Sequence, residues 1–291
     1  MTRAPAERRR AVRRLSVRSL LGGVQQRLRG RDLALIAAGL TVYAGIAVVP
    51  LLLLALSLTT ALTSEQEVQA LGDRLVTLFP TELGAPAVVG RLVDAGVGLS
   101  GWGVLLALLP MSLYGEGLRR ALLRFSSREE TWTSWRGRLG ALPLLLIAPV
   151  TVYPLLLAGE VMAGLAEQDG VGPAIGRVAV GFYSVLAALT VPLAWVFRVA
   201  GVERVRWLPL LVGAAFTAAC LSGFLQGFVL FLSLPLDLGA PFGGLDAIGG
   251  VVAVGLWLFA LHLVLVVGWL ATEALDEQLA QRRADAVSRA C

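Results

Sequence analysis

Long uninterrupted apolar runs alternate along the chain with short polar segments. The first run, 33–62, holds no charged residue between Asp32 and Glu65. At about 1.5 Å of rise per residue it exceeds a hydrocarbon core of about 30 Å, so it must tilt, bend or protrude. Further runs at about 99–114, 139–157, 178–199, 207–232 and 247–271 are also read as spanning helices. The pattern predicts an all-α integral membrane protein, a bundle of six transmembrane helices. It divides the chain into an N-terminal tail (1–32), a membrane domain (33–271) and a C-terminal tail (272–291). The segment 63–98 differs. Val68, Leu71, Leu75, Leu78 and Phe79 recur there at three- and four-residue spacing among Glu65, Glu67, Asp73, Glu82 and Asp94. That periodicity predicts an amphipathic helix lying on the outer interface and ending at Phe79-Pro80-Thr81.

Two residue classes refine the bundle. Pro50, Pro110, Pro143, Pro149, Pro154 and Pro192 fall inside the spans. Each removes a backbone donor and crowds the preceding turn, so kinked spans are expected. The freed carbonyls must find partners or line a wet path. Within 207–232, Ala215, Ala219, Gly223 and Gly227 follow one another at i+4 steps, flanked by Ala214, Ala218, Ser222 and Gln226. Such a stripe lets another helix approach closely, either inside the bundle or across a homo-oligomer interface. Trp102, Trp135, Trp207 and Trp269 lie near span ends, where amphipathic rings anchor at headgroups. Spans one to three and four to six run in opposite senses, which permits an inverted repeat, although the two halves share no convincing similarity.

Composition agrees with a membrane location. Hydrophobic residues make up 57% of the 291 residues and charged residues 15%, against about 25% charged in a soluble domain. Mean hydropathy is +0.77. Most soluble enzymes, a disordered chain and a disulfide scaffold are excluded. All 25 basic residues are Arg. Twenty-two of them lie in the tails and alternate connectors, and only Arg74, Arg91 and Arg177 lie in the others. The acidic residues divide evenly, so Arg alone sets the asymmetry. This positive-inside pattern predicts a bacterial cytoplasmic-membrane protein with both termini in the cytoplasm. Arg8-Arg9-Arg10 with Arg13, Arg14 and Arg18 then reads as a topology signal touching anionic lipid. No aromatic residue precedes Tyr43, so nucleic acid is not an expected partner. The N-terminus does not read as a cleaved leader, because the first apolar run is too long. Cys220 and Cys291 fall in bilayer and cytoplasm, and no disulfide is expected.

Several stretches carry a resemblance. Residues 32–52, DLALIAAGLTVYAGIAVVPLL, place Tyr43 after an Ala-rich stretch and Pro50 seven residues on. Residues 117–138 form an amphipathic connector, and 205–216, VRWLPLLVGAAF, hold a Gly213-Ala214 pair. The last run, 255–275, carries Gly268 and Glu273, and Phe242-Gly243-Gly244 precede it. In order and spacing, these stretches resemble the YihY/virulence factor BrkB family over roughly 31–275. The resemblance implies a multipass bacterial membrane protein, described as a transporter or lipid-export factor. Some members carried a ribonuclease BN label. The family supplies no agreed catalytic residues.

The nuclease label fails on the residues. A two-metal nuclease needs clustered His, Asp or Glu, and this chain has one His. It has no GxxxxGK[ST] loop for ATP and no Ser-His-Asp set outside the membrane. No catalytic residue, metal or cofactor is therefore expected. The candidate cavity or coupling residues are His262, Glu273, Gln226 and Glu116. Gly255, His262, Trp269 and Glu273 fall on one stripe at 100° per residue, and an ionisable ring inside a membrane is expensive. His262 is either a neutral ring bonded to a neighbouring helix or a proton-coupling or substrate contact. Glu116 lies three and four residues before Arg119 and Arg120, which suggests a local ion pair. Glu160 is expected to meet water and Arg198 to snorkel. Asp237 and Asp246 flank a Gly-rich loop, a weak cation-binding pattern. The expected function is translocation of a small or lipid-like solute, with membrane lipids as partners. The alternative is a non-transporting scaffold in envelope assembly. A water-accessible cavity containing His262 favours the first, and a dry bundle the second.

Overall fold

A computed structural model of the chain describes residues 17–81, 83–125, 134–199 and 205–290. Nine α-helices and no strand occur among them. In chain order they are α1 (Val17–Leu28), α2 (Leu33–Leu62), α3 (Glu65–Val76), α4 (Ala85–Val97), α5 (Gly101–Leu123), α6 (Ser134–Ala166), α7 (Val171–Val199), α8 (Trp207–Leu232) and α9 (Asp246–Ala290).

Local chemistry sets the boundaries. Asp32 accepts from the Leu35 N–H at 3.0 Å and starts α2. Ser64 accepts from the Glu67 N–H at 3.2 Å and starts α3. Ser100 does the same for Gly103 at 3.1 Å and starts α5. Each satisfies one of the orphan donors of a first turn. Gly84, at φ 69°, makes the left-handed corner before α4. The segment between α2 and α5 thus holds a helix pair, with α3 ending at Val76 and α4 following, where one helix was expected. Gly72 gives α4 room: a Cβ there would lie 2.6 Å from Val93 Cγ1.

Helices α2, α7, α8 and α9 are each long and apolar enough to cross a membrane. Helices α4 and α5, bent by 118° at 98–100, meet the same test as one broken pair. The span expected at 99–114 therefore runs longer, to Leu123, and is preceded by a helix at an elbow. α6 is 33 residues long and apolar in its second half. The helices continue through Pro50, Pro110 and Pro192, so no unwound segment marks a path at these prolines. α9 also overruns its expected end at 271 and continues for a further 19 residues, to Ala290. Within the expected N-terminal tail, α1 packs on α9: Val24 is buried, and Gly23 brings α1 within 3.2 Å of Ala274 Cβ, measured from an added Cβ.

Large apolar side chains line the outside. Leu35, Val42, Ile46 and Val49 on α2, Leu105, Leu106 and Leu109 on α5, and Phe216 on α8 are all exposed. A contiguous apolar exterior of this extent is matched to lipid as solvent. The largest core lies toward the Arg-rich end, where Leu40, Leu122, Phe197, Leu210, Trp269 and Leu270 are fully buried. Trp269 is not a headgroup anchor. It is buried against Phe197, with ring centroids 5.3 Å apart. Trp102 and Trp207 are exposed, as anchors require. The Trp135 side chain lies outside the described residues.

The close helix approach in α8 uses a face next to the expected one. A Cβ on Gly223 would meet nothing within 4 Å, and one on Gly227 would touch only the Trp257 ring, at 3.4 Å. Ala215 and Ala219 are half-buried. The buried face is Leu210, Gly213, Ala214, Thr217, Ala218, Leu221 and Ser222. Four-residue steps drift by about 40° per step on an α-helix, so the stripe rotates out of the contact along its length. Along the α8–α9 seam, a Cβ on Gly213 would sit 1.9 Å from Thr272 Oγ1, and one on Gly268 would sit 2.2 Å from Thr217 Oγ1. Thr217 donates to Gly213 O at 2.7 Å, and Thr272 donates to Gly268 O at 2.8 Å. Each helix thus offers a Gly-x-x-x-Thr unit to its antiparallel partner.

Candidate functional site

The polar groups inside the bundle begin with His262. Its Nδ1 lies 2.6 Å from Leu258 O, and a carbonyl can only accept, so Nδ1 carries the proton. Nε2 then accepts from the Tyr114 hydroxyl at 3.1 Å. The rings meet edge-on, with centroids 5.9 Å apart. Thr41 Oγ1 stands 3.5 Å from Nδ1 and donates to Ala37 O at 2.8 Å. Helices α2, α5 and α9 are joined here by an imidazole with both nitrogens engaged. This is the bonding expected of a satisfied buried ring.

A cavity of about 370 Å³ lies beside this node, between α2, α5, α6 and α7, with Leu265 of α9 in its wall. Leu51, Met111, Leu155 and Leu189 typify an almost wholly apolar lining, which Tyr114, Arg119, Thr151 and Trp195 interrupt. His262 is not in the wall; it reaches the cavity only through Tyr114. Arg119 is 7% exposed and donates to Val199 O at 3.3 Å.

The sequence candidates are not gathered at one place. Glu116 is buried, and its Oε1 accepts from Arg120 Nε at 2.7 Å. The expected ion pair is thus anchored by a buried carboxylate. Glu116 Oε2 has no hydrogen-bond partner among the described residues. Glu273 is buried at the Arg-rich end, with Oε2 3.4 Å from Arg27 Nε, and Arg27 also pairs with Glu277. A polar cleft of about 390 Å³ lies there, lined by Arg27, Arg29, Arg31 and Glu273. Gln226 is at the other end of the bundle and donates to Val178 O at 3.0 Å. Of the resemblance residues, Tyr43 packs its ring where a Cβ on Gly117 would come within 2.6 Å, and Pro50 continues α2. Arg198 stacks over Trp207, 4.8 Å from the ring centroid, and donates to Val205 O. Glu160 pairs with Arg74, and Tyr153 donates to Glu67 at 2.5 Å, which fastens α3 to α6. Asp237 accepts from the Ala240 N–H at 2.9 Å within its own turn. No cluster of three metal-ligating residues occurs among the described residues.

Sequence reasoning missed Tyr114 and Thr41, and weighed Arg119 only as a partner of Glu116. A helical count from Met111 through Gly115 to Leu118 would have marked the cavity face of α5. Nothing in the sequence says which neighbours leave that face unfilled.

Comparison with known proteins places the chain. The model of a family described as Virulence factor BrkB matches residues 24–290. The chain is 25% identical over 272 residues to a UPF0761 membrane protein of Verminephrobacter eiseniae (strain EF01-2). The match covers 88% of this chain and 62% of that protein, so the chain spans less than two thirds of that relative. No solved structure matches. With four to five candidate apolar spans and a family match over most of its length, this chain is a membrane protein belonging to the Virulence factor BrkB family.

Proposed function

We propose that this protein moves a lipid-like solute within or across the bacterial cytoplasmic membrane, without ATP hydrolysis or other catalysis by this chain. The observation that carries the reading is the cavity of about 370 Å³, an apolar space bordered by Tyr114 and the Arg119 guanidinium. Binding sites for small molecules are commonly apolar spaces of this order, with a few placed polar groups. An apolar wall suits an acyl or isoprenoid chain better than a sugar or an ion. In this reading α6 is the remaining span of a six-span bundle, and the Arg-rich end faces the cytoplasm with both termini. Membrane lipids are the partners, with no role for nucleic acid.

The cavity is apolar and lacks His262 in its wall, so it is not the wet, His262-lined path expected of transport; it argues only against the alternative of a scaffold packed throughout. The His262 node favours that alternative in one respect, because its bonds already satisfy the ring. An untargeted lipid and metabolite comparison of deletion and complemented cells tests the proposal. Accumulation of one amphiphile in the deletion strain, reversed by complementation, is the expected result. Unchanged profiles alongside mislocalised envelope proteins would select the scaffold.

A further inference from the structure

Two residues, Thr151 of α6 and Ala188 of α7, line both the interior cavity and an apolar groove on the outer surface of the α6–α7 pair. The groove continues outward past Val150, Tyr183 and Val191, all exposed on the surface that meets lipid. The cavity therefore borders the bilayer sideways at this seam.

The depth of the cavity is informative. Along α7 its wall extends from Ala188 to Val199. Eleven helical steps at about 1.5 Å cover about 16 Å, roughly half of a hydrocarbon core of about 30 Å. At the Val199 end stands Arg119, buried and bonded to the Val199 carbonyl. The space is thus about one leaflet deep and apolar along its length, with the Arg119 side chain in its wall at one end. Arg119 is at the end of the bundle where the arginines collect, which the positive-inside reading would set at the level of the headgroups.

We propose that the site takes an anionic phospholipid from the adjoining leaflet, with an acyl chain slipping in sideways through the α6–α7 seam while the headgroup stays at the Arg119 end. One acyl chain lies along Leu51, Met111, Leu155 and Leu189, and the phosphate pairs with Arg119. An arginine fork suits a phosphate because two N–H groups can meet two oxygens. A low-dielectric wall also makes the attraction stronger than at a wet surface. This inference rests on the transport reading for its purpose, but it concerns occupancy alone.

The test uses the full chain in detergent, offered equal amounts of phosphatidylglycerol and phosphatidylcholine with the same acyl chains. Retained lipid is then measured by native mass spectrometry. Both lipids carry the phosphate, but phosphatidylcholine also brings a quaternary ammonium that Arg119 repels and that cancels the net charge, so phosphatidylglycerol should be retained over it by about tenfold, equivalent to about 1.4 kcal/mol. Ala188→Trp, placed at the seam, should lose both lipids. Arg119→Gln should keep binding and lose the preference, with Arg119→Lys restoring part of it. Equal retention of the two lipids by the wild type would overturn the headgroup assignment, whatever the variants do. Full retention by folded Ala188→Trp would overturn the seam. Binding without lipid movement in proteoliposomes would instead sink transport and leave the site standing. Movement of another solute without phospholipid binding would do the reverse.

Discussion

Single side chains divide into those that hold the bundle and those that border its cavity. His262 belongs to the first group, because Leu258 O and the Tyr114 hydroxyl occupy both ring nitrogens. His262→Leu should leave the Tyr114 hydroxyl unpaired and cost about 1–3 kcal/mol, read as a lower unfolding temperature in detergent. His262→Gln keeps a donor and an acceptor and should fold. In proteoliposomes it should retain the wild-type pH profile between about pH 5 and 8, the window in which an imidazole switches. Loss of that profile in a folded Gln variant would restore proton coupling. The sequence made His262 conspicuous because an ionisable group in an apolar run stands out. Tyr114 was just as important, yet a tyrosine near a span end reads as an interface anchor. Its pairing with a residue 148 positions away could not be seen without the fold.

At the scale of helices, the test concerns which glycines are needed. Gly213 and Gly268 admit the Thr272 and Thr217 side chains where a Cβ would collide. Gly213→Leu should cost at least the roughly 1–3 kcal/mol typical of overpacking and reduce the folded yield. Gly223→Leu should change neither yield nor melting, because that position opens onto free space. A reversed ranking in a detergent thermal-shift series would reject the seam. Helix existence was legible from apolar runs, and the bounds of α2 and α8 match the sequence pattern residue for residue. The packed face of α8 was legible only to within one residue of rotation, because several adjacent positions are small. The α4–α5 elbow was hidden because 85–97 reads as one more stretch of an acidic connector. α1 supplies a second contrast. Of its two Arg27 pairs, the one to exposed Glu277 should be worth no more than about 1 kcal/mol, whereas the one to Glu273 is buried. Val24 is buried, so Val24→Asp should free α1 while Glu277→Ala leaves it docked, as hydrogen exchange across 17–28 can report.

For the whole molecule, orientation is the quantity to measure. The 22-to-3 division of arginines predicts that Glu65 and Asp169 face outward and Ser288 inward. In a Cys291→Ser background, cysteines at the first two positions should react with an impermeant thiol reagent in intact cells. A cysteine at position 288 should react only after lysis. Labelling of position 288 in intact cells would invert the bundle. The class of protein was legible in hydropathy alone, because a membrane demands long apolar helices whatever the function. The cavity was not legible: it is what remains after α2, α5, α6 and α7 have packed, and each of its walls reads in sequence as ordinary apolar helix.

The Gly-x-x-x-Thr units of α8 and α9 also bear on the order of assembly. They are related by a local two-fold, so α8 and α9, which follow α2 and α5–α7 in the chain, carry a contact that needs none of the earlier helices. Helices can insert first and associate afterwards. The α8–α9 hairpin can therefore close on itself as soon as both arms are in lipid. It then docks as one wedge, bringing His262 to Tyr114 and Trp269 to Phe197 together. Until that moment α2 and α5–α7 lack their inner neighbour. Completion of the core, and of the wall that Leu265 adds to the cavity, waits on the arrival of α8 and α9.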